Sequence, residues 1–574
     1  MRYPKRILSI CVFILFAFSV DIFAIFKLQF FDGVKYRLLS EKNRTRIRTL
    51  YPNRGQIIDR NGIKIAYNVP VYKVGILNTN KREILKSADD ILQLIGEIDI
   101  SVDEILLRSK HLPHHAYIYV KENLTWEEYA TLSINNFKLK NIILDHGYTR
   151  KYNDDAYAHL IGYTGRSADT VSKKGMVGLE KSYDKMLSGI LGNQKLEVNS
   201  YGHIVKTLDV VPPIDGENIQ LTIDDKLQKF VFKVLSEHAT ASCVVIDVNT
   251  GEILACVSVP VYNQNSLANG ISNDEWKSIM SNKLFPMNDR ALKSAYPPGS
   301  VFKPFIGYAA LNEGVIGAEE KIYCPGYIKI GSDTFHCWNR YGHGYMNFKT
   351  AMACSCDVYF FEISKRLGID NIEKYANMFG LGEKVCDFTV RENAGLIPNK
   401  SWKLNKYKKD WKQYDTILTG IGQGSALVTA VQLAVATARL CTNNFKLKAR
   451  IFLDNQYVHS KHDYNRIANL VKNSMFSVCN NFYGTAFSYC YTDYGIAGKT
   501  GSAQVRKIRH GEHGINQQNL KRADRDHGLF IGFAPYKKPK YAIAVIVEHG
   551  GGGTVAAKTA KKIFDQLIKN STSQ

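Results

Sequence analysis

Ser300 and Lys303 stand three residues apart in the segment AYPPGSVFKP, Ala295 to Pro304. A serine hydroxyl becomes a nucleophile only when a base takes its proton. A lysine amine is such a base where burial and nearby positive charge favour its neutral form. Pro297, Pro298 and Gly299 end extended chain and release a helix. Pro304 is tolerable only in the first helical turn, where backbone N–H groups lack partners in any case. The spacing therefore predicts Ser300 at the helix start and Lys303 on the same face. The helix N-terminus also favours developing negative charge. S-x-x-K alone is a weak signal, but two further elements follow it in order. Ser355-Cys356-Asp357 lies in ACSCDVYFF, at the start of an apolar helix. Lys499-Thr500-Gly501, followed by Ser502, lies in IAGKTGSAQV, which alternates like a strand.

A second group is built from soft ligands. Cys324, Cys337, His343 and Cys356 are spaced C-x12-C-x5-H-x12-C. Three thiolates and an imidazole suit tetrahedral zinc. Ligands so far apart need the fold to gather them, so buried free thiols and a Cys324–Cys337 disulfide are the competing readings. Cys354 is the alternative fourth ligand, and His336 the spare histidine.

These residues need elements to hold them. Pro212 and Pro213, within Val211 to Gly216, mark a boundary. Beyond it Asn218 to Asp224 reads as a strand, followed by a helical stretch to about His238. Ser242 to Asp247 and Glu252 to Val259 flank Asn249-Thr250-Gly251, a hairpin signal. His527 to Tyr536 and Tyr541 to Gly551 supply two more strands. Before the boundary, RGQIIDRNG (Arg54 to Gly62) reads as strand, turn, strand, with Asn61-Gly62 at the turn; the rest of residues 27–217 reads as a structural arm. At the N-terminus, Ile7 to Phe26 is an apolar run of 20 residues broken only by Ser9, Ser19 and Asp21. That length spans one hydrocarbon core, and no small-x-small cleavage site follows it. Lys27, Lys35, Arg37, Lys42 and Arg44 follow closely, so charge alone does not orient the anchor. Asp21 is costly in lipid and is expected near the outer interface.

The whole chain has 574 residues, 75 Lys+Arg against 53 Asp+Glu, a net charge of +22 and 45% hydrophobic residues. That excludes a mostly disordered or collagen-like protein. The charge favours an anionic partner, but no nucleic-acid module is present and nucleic acid is not expected. The 11 cysteines, an odd number in a long chain, do not make a disulfide framework.

S-x-x-K, S-x-[ND] and K-[TS]-G in that order are the signature set of penicillin-binding proteins and serine β-lactamases. The chain resembles the class B penicillin-binding proteins, most closely those of the elongation type, penicillin-binding protein 2. The resemblance also rests on RGQIIDRNG, on VGLEKSYD (Val177 to Asp184), on GIGQG (Gly420 to Gly424) and on the strand pair after the KTG motif. It implies an α+β fold: a cytoplasmic tail 1–6, a transmembrane helix 7–26, a pedestal 27–217, and a transpeptidase domain 218–574 with an antiparallel sheet flanked by helices. It implies a peptidoglycan D,D-transpeptidase that acylates Ser300 with a D-Ala-D-Ala stem peptide, with carboxypeptidase side activity and penicillin binding. Lys303 would take the proton, Ser355 would relay it, and Lys499 would keep the field positive and orient Ser355. The backbone N–H groups of Ser300 and Ser502 would form the oxyanion hole. Asp357, Thr500, Gly501 and Ser502 would contact substrate. Some elongation-type members bind zinc beside the active site, at positions that fall on or near Cys324, Cys337, His343 and Cys356. The implied partners are stem peptides, β-lactams, a SEDS-type glycosyltransferase of the RodA kind and rod-shape scaffolds. The implied location is the inner membrane, N-terminus in, with the catalytic domain in the periplasm. Asp357 departs from the asparagine often found there, and HGLF and Ala556-Ala557-Lys558 depart from the more usual forms. A septal transpeptidase, a class D β-lactamase-like hydrolase, a penicillin-sensing receptor domain and a pure scaffold are the alternatives.

Overall fold

A computed structural model of the chain describes residues 3–112, 116–135, 137–139, 141–167, 170–199, 204–454, 465–506 and 517–572. Met1 and Arg2 of the expected tail, and Ser573 and Gln574 at the far end, lie outside the described residues. The chain forms two compact units, neither of them contiguous in sequence. The first comprises Met1–Arg54, Pro70–Tyr148 and Ser188–Glu217; the second comprises Gly55–Val69, Thr149–Leu187 and Asn218–Gln574. The single cut expected between 217 and 218 is thus replaced by several crossings.

In the first unit, helix α1 (Tyr3–Phe26) continues into a wider turn over Lys27–Phe31. The expected apolar run 7–26 lies within a continuous helical stretch, Pro4–Phe31, of 28 residues. Beyond Lys27, Leu28, Phe30 and Phe31 extend its exposed apolar surface. The Phe26 and Phe30 rings stack with centroids 4.5 Å apart. Ser9 and Ser19 donate to carbonyls four residues back, so neither hydroxyl needs water. Thr45–Leu50, Gly192–Val198 and Ile204–Val211 form an antiparallel sheet with Gly192–Val198 in the middle. A separate small core gathers Val74, Ile76, Ile91, Ile105, Ile118 and Leu132.

The second unit is organised on five strands: β1 (Ala241–Asp247), β2 (Ile253–Val259), β3 (Ala497–Ala503), β4 (His527–Ala534) and β5 (Tyr541–Val547). Their order is β2-β1-β5-β4-β3 and every pairing is antiparallel. β2 and β5 are buried at every position. Such strands read as continuous apolar runs because both faces are covered. Around them, in chain order, are α2 (Lys303–Asn312), α3 (Phe348–Ala353), α4 (Asp357–Leu367), α5 (Lys400–Tyr407), α6 (Gln413–Gly420), α7 (Ala430–Thr442), α8 (Arg466–Asn480) and α9 (Gly553–Thr572). Helix α7 is buried at all 13 positions, as an all-round apolar helix must be. Both α7 and α9 pack on β4 and β5.

Two motifs expected in the arm belong to this unit. Within RGQIIDRNG, Ile57 pairs with Ala66 and Ile58 with Lys64 across the predicted turn. The Asp59 carboxylate accepts from the backbone N–H of Asn61 at 2.8 Å, of Ile63 at 2.7 Å and of Asp225 at 3.1 Å. Within VGLEKSYD, Glu180 is fully buried against the Arg150 guanidinium, 2.7 Å away. Breaking such a pair strands a charge in the interior.

Candidate active site

Ser300 lies in a short 3-10 turn, Gly299–Phe302, that runs directly into α2, with Pro304 in its first turn as the sequence predicts. Gly299 has φ of 54°, and a Cβ there would stand 2.6 Å from the Ser502 carbonyl oxygen. The Gly299 N–H donates to Gly422 O at 2.8 Å. Backbone therefore packs directly on backbone at three points: the nucleophile turn, the GIGQG loop and strand β3. Tyr296 anchors the approach. Its N–H and C=O both pair with Val428, and its hydroxyl donates to Glu548 at 2.7 Å. Arg290 holds the other Glu548 oxygen at 2.8 Å.

Lys303 is fully buried. Its Nζ donates to Asp357 Oδ1 at 2.7 Å, to Ser355 O at 2.9 Å and to Ser355 Oγ at 3.2 Å. The first and second motifs thus meet through this amine. Ser355 lies in the break between α3 and α4 with φ of 56°, a left-handed conformation that costs a non-glycine residue about 1 kcal/mol or more. The break turns the Ser355 hydroxyl back toward Lys303 and leaves Asp357 to open α4. Asp357 is the junction of the site. Its second oxygen accepts from the Trp338 N–H at 2.8 Å, and its own N–H donates to Cys337 Sγ at 3.3 Å. The sequence reading gave Asp357 to substrate alone; here its carboxylate is occupied by the lysine and by Trp338.

Lys499, on β3, is also fully buried. Burial, and then Lys303 nearby, push it well below the usual lysine range, with Asp357 pulling the other way. Its Nζ donates to Thr500 O at 3.1 Å. It forms no hydrogen bond to Ser355 among the described residues, so the expected direct orientation of Ser355 by Lys499 is not seen; Lys303 makes that contact instead. Thr500 Oγ1 lies 2.7 Å from Thr485 Oγ1. Ser502 Oγ accepts from the Gly553 N–H at 3.2 Å, and Ser502 O accepts from Gln423 Nε2 at 3.1 Å. Gly501 lies against Val301, where a Cβ would meet Cγ1 at 2.8 Å. Gly553, Thr485 and Trp338 were not singled out from sequence, and Gln423 only as part of GIGQG. The run Gly550 to Gly553 was a signal that the chain needs close backbone approach there.

Beside this site, one donor atom from each of Cys324, Cys337, His343 and Cys356 lies within 4.8 Å of all the others. Paired short strands, Ile322–Cys324 with Gly344–Met346 and Tyr327–Ile330 with Asp333–His336, gather them. His343 Nδ1 is 3.7 Å from Cys324 Sγ and 3.5 Å from Cys337 Sγ. Hydrogen bonds from Cys324 and Cys356 drive the Cys337 thiol down. Burial opposes protonation of His343, but its bonds to Cys324 and Cys337 push it up to about 9. All eleven cysteines are unpaired, so the Cys324–Cys337 disulfide is not formed. Cys354 points away, toward Tyr483 O at 3.8 Å, and His336 is not in the cluster.

Residues 241–567 match the family described as the penicillin binding protein transpeptidase domain, and residues 49–221 the penicillin-binding protein dimerisation domain. The peptidoglycan D,D-transpeptidase MrdA of Acinetobacter baumannii is 34% identical over 94% of this chain and 84% of its own length. MrdA of Escherichia coli is 30% identical over 99% of this chain and 94% of its own. Among solved structures, the Helicobacter pylori penicillin-binding protein PBP2 in its complex with MreC superposes with a TM-score of 0.81 at 29% identity, covering 92% of this chain and 99% of that one. The Pseudomonas aeruginosa PBP2 gives 0.66 at 26% identity, covering 91% and 96%. With its three motifs on one buried centre and both domains matched, the chain belongs to the penicillin-binding protein transpeptidase family, as a serine-type peptidoglycan D,D-transpeptidase of the elongation type.

Proposed function

We propose that Ser300 Oγ attacks the carbonyl carbon of the penultimate D-Ala of a stem peptide and that Lys303, made neutral by passing a proton to Asp357 at 2.7 Å, takes the hydroxyl proton. Ser355 passes that proton to the amide nitrogen as the C–N bond breaks and the terminal D-Ala leaves as an amine. The acceptor amine of a neighbouring stem peptide then attacks the ester carbon, forming the cross-link and returning a proton to Ser300. Water in place of the amine gives the carboxypeptidase reaction. The observation that carries this reading is the Lys303 amine, buried and hydrogen-bonded to Ser355 Oγ one helical turn from Ser300. The N–H groups of Ser300 and Ser502 serve as the oxyanion hole; preorganised donors of this kind are worth about 3 kcal/mol each. Thr500 and Ser502 take the substrate's terminal carboxylate. That anion also gives Lys499 a counter-charge, which favours the charge that burial and Lys303 disfavour.

The cysteine–histidine cluster fits zinc: three thiols and one imidazole nitrogen lie within 4.8 Å of one another, a donor set suited to that ion, and three of the four residues are buried. Cys324, Cys337, His343 and Cys356 would hold one ion, and its role would be to brace the middle motif. The apolar helix Pro4–Phe31 serves as a single anchor with the N-terminus inside, because peptidoglycan lies outside the cytoplasmic membrane. The H. pylori relative was solved with MreC. A rod-shape scaffold is accordingly a partner we assign, and a RodA-type glycosyltransferase is a second, assigned from the family resemblance.

The test is covalent labelling by a fluorescent penicillin. The full chain is expected to form a stable adduct, and Ser300→Ala to lose it by about a thousandfold or more. Labelling that persists in the variant removes the mechanism. Rapid hydrolysis of the adduct instead favours the β-lactamase-like alternative.

A further inference from the structure

The helices α5 and α6 line a small open pocket, about 130 Å³, that the reaction above does not use. That is below the range of a drug-sized site, so it suits a single ring seated from the open side. Trp402, Tyr407 and Trp411 supply its walls, and Lys403 and Asp415 lie among its lining residues. The far wall, Leu418 to Ser425, belongs to the stretch that contains GIGQG. Gly422, in that stretch, accepts from the Gly299 N–H, and Gln423 holds Ser502 O at 3.1 Å. The pocket is therefore built on the backbone that also seats the nucleophile turn and strand β3.

Its chemistry narrows the ligand. Lys403 Nζ and Asp415 Oδ2 form an ion pair at 2.5 Å, with side chains only 11% and 19% exposed. The same ammonium lies 5.9 Å from the Trp411 ring centroid and 5.3 Å from that of Tyr414. The cation that an aromatic cage would recruit is already present, and its charge is met by Asp415. A charged ligand gains no counter-ion from this pair. Trp411 Nε1 donates to Thr416 at 2.8 Å, which fixes that ring. Trp402 and Tyr407, 5.6 Å apart in an edge-on arrangement, are partly open to solvent and are crossed by the exposed Lys406. Thr419 and Ser425 add hydroxyls. Rigid aromatic faces beside hydroxyls and a neutralised ion pair suit an uncharged ligand with apolar C–H faces and a polar edge. A pyranose ring is such a ligand, and the stem peptide of this enzyme's substrate is attached to an amino-sugar polymer.

We infer that the Trp402–Tyr407–Trp411 pocket is a saccharide subsite for an N-acetylated pyranose of the glycan strand, placed beside the Ser502 end of the catalytic groove. The inference rests on the transpeptidase reading for its ligand, but it is tested without catalysis. The full chain carrying Ser300→Ala is titrated in detergent with the β-1,4-linked tetramer of N-acetylglucosamine. Binding is read by tryptophan fluorescence and by saturation transfer to the acetyl protons. Saturable binding in about the millimolar range is expected. Adding Trp402→Ala or Tyr407→Ala should weaken it about tenfold, and Trp402→Phe should restore most of it, with thermal unfolding confirming that each variant is folded. No saturable binding overturns the proposal, as does affinity within twofold of the parent in both alanine variants. Displacement of the tetramer by a sugar-free pentapeptide also overturns it, because the pocket would then be a peptide site. Failure of penicillin labelling in the unmutated chain would instead count against Ser300 and leave the saccharide result standing.

Discussion

The nucleophile turn and the cysteine-bearing lobe beside it reach the same carboxylate by opposite routes. In the first, Ser300 and Lys303 are three residues apart, and Pro297, Pro298, Gly299 and Pro304 set the backbone that joins them. In the second, Cys324, Cys337, His343 and Cys356 span a much longer stretch, and two small strand pairs must form before the donors meet. Asp357 touches both: Lys303 Nζ on one side, Trp338 N–H and Cys337 Sγ on the other. A site can thus take its reactive pair from local chain stiffness and its alignment from an adjacent lobe assembled over a long stretch of sequence. The first is robust to changes elsewhere; the second is where disturbance should enter.

The largest expected effect breaks the lobe. Purified chain should carry about one zinc, and Cys337→Ser should reduce this to below about a tenth of an equivalent, as tight structural affinity requires. Melting of the variant should fall by several degrees, in line with a loss of about 3 kcal/mol or more. Zinc below that threshold in the parent chain, under reducing and chelator-free conditions, rejects the site. Next is the junction itself. Asp357→Asn leaves the buried Lys303 without its counter-ion and gives Trp338 N–H a poorer partner, so stability should drop by about 2–3 kcal/mol. Pairing it with Lys303→Met should give a less than additive loss in denaturant unfolding. Additive losses would mean that the two residues are not coupled.

On the nucleophile side, His527 stacks edge-on against Tyr296, and its Nδ1 accepts from the His549 N–H at 3.0 Å. Burial, then His549, lower it from 6.5 to about 4. The unfolded chain therefore takes up this proton first. The stability His527 contributes is complete above about pH 6.5 and is lost as pH falls toward 4, by about 2 kcal/mol after allowing for its partial exposure. His527→Asn should flatten the acid limb of a melting-versus-pH curve by that amount, and an unchanged slope would assign the acid loss to other groups. The smallest effect is at the helix that leads into Ser355. Asn347 caps α3 through Thr350 N at 3.0 Å, and Asn347→Ala should cost about 1 kcal/mol.

The parts of the molecule legible in the sequence are those that local chemistry dictates. The Asn249-Thr250-Gly251 hairpin forms between β1 and β2, the Asn61-Gly62 turn forms where two strands needed it, and the KTG strand and the two after it pair edge to edge. The helix from Ser300 was legible because proline leaves the backbone few choices. What the sequence hid was tertiary. Nothing local says that Gly55–Val69 and Thr149–Leu187 pack with the catalytic unit; that depends on Asp59 and Tyr157 both meeting Asp225. Nor does spacing reveal that Lys303, and not Lys499, holds the Ser355 hydroxyl, since both lysines are buried and the geometry decides between them.

The glycine contacts around Ser300 set a limit on how this enzyme can change. Side chains are missing from Gly299, Gly422, Gly501 and Gly553 because main chain or a β-branched neighbour occupies the space a Cβ would need. Under selection by an acylating inhibitor, the innermost ring of positions therefore offers almost no tolerated alternatives. Escape variants should arise where side chains already line the groove, and the floor of the site should stay invariant however strong the pressure.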